Sequence, residues 1–124
     1  MTPTVDLDSL SIAVRLGAAM VAGAVIGIDR ELKNKPEGLR THSMVSIGAA
    51  IVVLATVASS QGSADAVSRA IQGIITGIGF LGAGVIMKDG LSVRGLTTAA
   101  SIWITAAIGI LAGIGFYFPV IVAT

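Results

Sequence analysis

Four stretches of this chain carry no acidic or basic side chain. Asp, Glu, Lys and Arg are absent from Leu16 to Ile28, Ser43 to Ser59, Ala70 to Met87 and Gly95 to Thr124. An apolar run of about 18 residues without charge is long enough to cross the hydrocarbon of a bilayer as a helix. Charged residues make up 12% of the 124 residues and hydrophobic ones 54%. Soluble domains hold roughly a quarter charged residues, so the deficit, with its segregation into short connectors, predicts an all-α polytopic membrane protein.

The spans are predicted at about Leu10 to Ile28, Thr41 to Ser59, Asp65 or Arg69 to Met87, and Leu96 to Ala112. Asp8 and Ser9 can cap the first, and Asn34-Lys35-Pro36-Glu37-Gly38 is turn chemistry between the first two. Gly113 to Gly115 read as a tight turn. After it, Phe116-Tyr117-Phe118-Pro119 opens a further apolar segment whose proline suits a first helical turn. From Phe116 only nine residues remain, about 13 Å of helix, so an incomplete fifth span is expected.

The chain also repeats itself. Gly38-Leu39-Arg40-Thr41 returns 57 positions later as Gly95-Leu96-Thr97-Thr98, and each string opens an Ala-rich apolar run. Ile47, Ala49, Ala50, Ile51, Leu54 and Ala55 match Ile104, Ala106, Ala107, Ile108, Leu111 and Ala112 at that offset. Val25-Ile26 and Val85-Ile86 close the preceding segments. The expected unit is helix, polar loop, helix, spanning about 10–59 and again 65–115. Two spans per unit make the repeats parallel, and such repeats frame pseudo-symmetric sites in transporters and channels. Arg30, Lys33, Lys35 and Arg40 in the first connector, with Lys88 and Arg94 in the second, place both connectors in the cytoplasm and the N-terminus outside.

These ends bring a polar cluster to one face: Asp29, Arg30, Glu31, Lys35, Arg40, Thr41, His42, Lys88, Asp89, Arg94, Thr97 and Thr98. Thr41-His42 and Thr97-Thr98 sit at helix N-termini, which favour an anion or carboxylate. The cluster either binds a ligand or partner, or Asp29 and Glu31 pair with Arg40 and Arg94 to fix the loops. A lone histidine makes a poor metal site, so His42 is expected to cap or bond a loop, and it can titrate near neutrality. Arg15 and Arg69 lie toward the outer leaflet. Arg15 is expected to snorkel to lipid headgroups, and Asp65, one turn before Arg69, can pair with it. Gln72, Thr76, Ser101 and Thr105 are hydrogen-bonding groups between helices. Trp103 is too deep for an interfacial belt and is expected to fill the interior.

Gly23-x-x-x-Gly27, Gly73-x-x-x-Gly77 and Gly109-x-x-x-Gly113 let helices approach closely. They serve packing within one subunit, a dimer interface, or a deformable third span lining a path. A net charge of +1 leaves no basic face for nucleic acid. The absence of cysteine excludes disulfides and thiolate metal sites. Catalytic motifs are lacking, so an enzyme is not expected.

Arg15-Leu16, Gly23, Ile26-Gly27, Asp29-Arg30-Glu31, Lys35-Pro36, Gly38 to His42 and Gly48-Ala49-Ala50 resemble the first half of the MgtC/SapB/YhiD membrane domain. Arg69, Gly77 to Ile86, Val93 to Ala100 and Ile102-Trp103 resemble the second half, with Asp29 where a Glu is usual. The resemblance implies a bacterial inner-membrane protein tied to growth in low magnesium, survival in host cells and virulence or stress adaptation. The bundle is expected to be a homo-oligomer among membrane lipids, and the resemblance further implies the ATP synthase as a membrane partner and a cytoplasmic C-terminal domain beyond this chain. A regulatory module acting through its connectors is the leading expectation. A transporter or channel for magnesium or another small ion is the alternative, and a membrane anchor for a soluble domain is a third.

Overall fold

The computed structural model describes residues 8–89 and 92–124, and between 87 and 94 the backbone only. Among the described residues four helices are long and apolar enough to cross a membrane: α1 (Ser9–Leu32), α2 (Leu39–Ser60), α3 (Ala64–Val85) and α4 (Leu96–Ile114). At 1.5 Å per residue they reach about 28–36 Å, enough for a hydrocarbon core of roughly 30 Å. A short α5 (Tyr117–Ala123) follows. The fold is all-α, as predicted, with one local exception. The α3–α4 connector pairs as an antiparallel hairpin, β1 (Met87–Asp89) against β2 (Ser92–Arg94), with Met87 opposite Arg94.

Helix ends follow local chemistry. Asp8 accepts from the Ser11 amide at 2.7 Å, and Ser63 caps α3 through the Ala66 amide at 3.3 Å. Each satisfies one of the donors left free at a helix start. Gln61 ends α2 in the left-handed region at φ 55°, and Gly115 ends α4 at φ 95°.

Helix α4 lies at the centre, and α1 and α2 pack on it and on each other. Ala19 and Ala22 of α1, Ala50 of α2, Ile108 and Ala112 of α4 and Val120 of α5 form one buried cluster. Ala49, Val53 and Val57 of α2 meet Ile110 of α4 in a second. Small residues set this geometry: a side-chain carbon on Gly23 would fall 2.5 Å from the His42 carbonyl oxygen, and one on Gly27 2.5 Å from the Leu39 Cα. In lipid, where no hydrophobic force drives helices together, such close approach maximises dispersion contact. Helix α3 packs one side only, through Ile74, Ile78 and Val85, and 6% of its span is buried against 50% of α4's.

Two expectations change. Trp103 is 48% exposed, on the side of α4 opposite Thr105 and turned away from the α1–α2 core; its depth excluded the interfacial belt, but lipid accepts an indole as readily as a core does. Arg15 does not run out to the headgroups. Its Nη1 donates to the carbonyl oxygens of Gly113 and Ile114 at 2.9 and 3.1 Å. Those are among the carbonyls left without partners where α4 ends, and a cation there also complements the helix dipole. Asp65 and Arg69 pair as expected, at 3.6 Å and largely exposed.

Candidate functional site

The site forms where α1 ends and α2 and α4 begin. Gly23, Gly27 and Arg30 lie at spacings of four and three residues, hence on one face of α1. The glycines bring α1 against α2, and the same face carries Arg30 inward until it is 5% exposed. Its guanidinium turns back on the connector. Nε donates to the carbonyl oxygens of Pro36 (3.2 Å) and Glu37 (3.0 Å), and Nη2 donates to Pro36 O (2.8 Å) and Thr98 Oγ1 (2.6 Å). One buried cation therefore ties α1, the first connector and the start of α4 together. Charge-assisted bonds of this kind are about twice as strong as neutral ones.

The connector needs such a hold. Asn34 and Glu37 both adopt φ 55°, and outside glycine the left-handed region costs about 1–2 kcal/mol. Glu37 is the less tolerant residue there, and it is its own carbonyl that Arg30 grips. Gly38 offers no side chain to cap α2. Glu31 supplies the cap from the neighbouring helix, accepting from the Leu39 amide at 3.0 Å. A side chain on Gly38 would run into that of Glu31, so the glycine is required by close approach. Thr41 Oγ1 donates to Glu37 Oε2 at 2.7 Å.

His42 is fully buried. Its Nδ1 lies 3.0 Å from the Gly38 carbonyl oxygen and Nε2 2.9 Å from Ser101 Oγ. A carbonyl only accepts, so Nδ1 carries a proton toward Gly38, and Nε2 lies against the oxygen of a Ser101 hydroxyl that donates to the Thr98 carbonyl oxygen at 2.9 Å. Thr105 Oγ1 donates to the Ser101 carbonyl at 2.6 Å. The expected loop-bonding role of His42 is what its geometry provides.

Of the cluster expected from sequence, Arg30, Glu31, Thr41, His42 and Thr98 join in this network. Asp29, Lys35, Arg40 and Thr97 are exposed around it. The side chains of Lys88, Asp89 and Arg94 lie outside the described residues. The expected pairing of Asp29 and Glu31 with Arg40 does not form: Asp29 pairs with Lys33 at 3.2 Å, one turn away on its own helix, and Glu31 is spent on the α2 amide. Ser101, expected only as a general hydrogen-bonding group between helices, is linked specifically to His42. The spacing Thr98-Ser101-Thr105, which places all three on one face of α4, was the available signal. Among the described residues no three His, Asp or Glu side chains converge as a metal site would require.

The family description MgtC family matches residues 16–124. The chain belongs to the MgtC family. Its curated relatives include a protein named MgtC from Salmonella typhimurium strain LT2, 45% identical over 111 residues that cover 90% of this chain and 47% of that protein. A protein named MgtC from Brucella abortus is 43% identical over 90% of this chain and 46% of its own length. Protein SrpB of Synechococcus elongatus is 42% identical over 89% of this chain and 67% of itself. The chain thus spans about half the length of the MgtC proteins it matches. No solved structure matches it. The MgtC match takes in every residue of the Arg30 network, from the end of α1 through the first connector to the start of α4.

Proposed function

We propose that this MgtC-family membrane protein is a non-catalytic regulatory module for low-magnesium and stress adaptation. In this reading the connector end faces the cytoplasm of a bacterial inner membrane and acts on a protein, lipid or ion partner. One observation carries it: Arg30 spends its buried guanidinium on the connector backbone rather than on a path through the bundle. The connector is thereby held in one conformation, with its Lys35 and the neighbouring Arg40 of the first turn of α2 both exposed. Pre-ordering lowers the entropy lost on association and so favours recognition by that loop. The basic side chains suit an acidic protein surface or an anionic headgroup. The low-magnesium setting and the ATP synthase as a membrane partner are what the family resemblance implies.

The test is charge reversal at the exposed positions. Lys35→Glu with Arg40→Glu should abolish capture of partners by the full-length protein from solubilised membranes, while its thermal unfolding stays unchanged. Magnesium flux into sealed proteoliposomes that disappears in Asp29→Asn or Glu31→Gln would instead establish the transporter alternative.

A further inference from the structure

Helix α3 turns its polar and small residues away from the rest of the chain. Arg69, Gln72, Gly73, Thr76, Phe80 and Gly84 are all exposed, and their spacing of three and four residues puts them on one face. The opposite face, from Val67 through Ile71, Ile74 and Ile78 to Val85, packs on α2 and α4. For a helix in water this polarity would be ordinary. In a bilayer it is inverted, because polar side chains of spanning helices face protein rather than acyl chains. Gln72 lies about 12 Å along α3 from its start; its main-chain carbonyl accepts from Thr76 Oγ1, and its side-chain carboxamide has no hydrogen-bond partner among the described residues.

The glycines agree. Gly23, Gly27, Gly109 and Gly113 each lie where a side chain would meet the backbone of a neighbouring helix. Gly73, Gly77, Gly79 and Gly84 meet nothing within 4 Å, although each costs roughly 1 kcal/mol of helix propensity relative to alanine.

We infer that this face of α3 is where a second copy of the protein docks, α3 against α3 about a two-fold axis along the membrane normal. The groups on the face are complementary to themselves, as a two-fold interface demands. A carboxamide both donates and accepts, so Gln72 can pair with Gln72 of the second copy. Asp65 and Arg69 offer opposite charges one turn apart, so each can exchange its own partner for that of the facing helix. Beside the face runs a groove of about 470 Å³ between α2 and α3, lined by Val45, Gly48, Ile74, Gly77 and Leu81. Phe80, 80% exposed, is placed to enter that groove on the second copy. This interface stands independently of the connector's role.

The chain has no cysteine, so single thiols report the interface cleanly. Thr76→Cys and Gln72→Cys in the full-length protein, oxidised in native membranes, should give covalent dimers. Val25→Cys on α1 and Ile104→Cys on α4 should give at least tenfold less. Adding Gly73→Leu to Thr76→Cys should cut the cross-linked fraction at least tenfold and leave thermal unfolding of the subunit unchanged. Equal cross-linking at all four positions, none at 72 and 76, or adducts of another protein's mass at those positions would each overturn the assignment.

Discussion

Gly23 and Gly27 of α1 stand against the backbone of α2. Gly73 and Gly77 of α3, at the same four-residue spacing, meet no atom of the described residues within 4 Å of where a side chain would begin. The first pair fixes the site, because the approach it permits carries Arg30 to Pro36 and Thr98. The second pair fixes nothing inside the subunit. Small-residue spacing in a membrane helix thus marks a close approach without saying whose backbone is approached. The neighbouring residues decide: Ala19 and Ala22 continue the α1 contact into a buried cluster, whereas Gln72 and Thr76 flank glycines that stay uncovered.

The sharpest way to break this contrast is to enlarge a glycine on each side of it. In Gly109→Leu the new side chain meets the Ser46 backbone and the Ala49 methyl. Overpacking of this kind costs about 3 kcal/mol or more once the backbone must move, and little folded protein should survive a denaturant titration in micelles. Gly79→Leu has open space and should unfold within about 0.5 kcal/mol of the parent, the usual range for surface changes. Equal losses from the two would erase the distinction.

Arg30→Gln should come next, lowering stability by about 2–4 kcal/mol, since three carbonyl bonds and the Thr98 bond go together. Cleavage by a lysine-specific protease after Lys33 and Lys35 should accelerate in parallel. An unaltered cleavage rate would mean that the connector holds its shape without the guanidinium. Arg15→Met removes the cap from α4 and should cost about 1–3 kcal/mol, with faster amide exchange confined to the last turn of that helix and α5. The smallest effect belongs to Lys33→Ala. Its bond to Asp29 joins side chains that are both 61% exposed, and such pairs contribute less than about 1 kcal/mol, so the melting curve should barely move.

The spans could be read from the chain because exclusion of charge from hydrocarbon is a property of runs, not of partners. Counting the third span from Asp65, predicted and observed bounds agree within about two residues except at the end of α1, where Asp29 to Leu32 extend the helix beyond its charge-free run. Which of Asp29, Arg30 and Glu31 turns inward was less legible. Consecutive helical residues point about 100° apart, and only the phase set by Gly23 and Gly27 singles out Arg30. Arg15 escaped for a different reason. Its carbonyl partners at Gly113 and Ile114 belong to the backbone, and a backbone acceptor leaves no mark in a sequence. The pairing of Met87–Asp89 with Ser92–Arg94 leaves no sequence signal, since three-residue strands are too short to show alternation.

The cap on α4 reaches across 98 residues of chain, and this has a bearing on biogenesis. At roughly 5–20 residues per second, the ribosome delivers the glycine that Arg15 grips about 5–20 s after Arg15 itself has been made. For that interval the first helix carries a guanidinium whose eventual acceptors have not yet been synthesised. The contact between α1 and the end of α4 can therefore close only once α4 has been made.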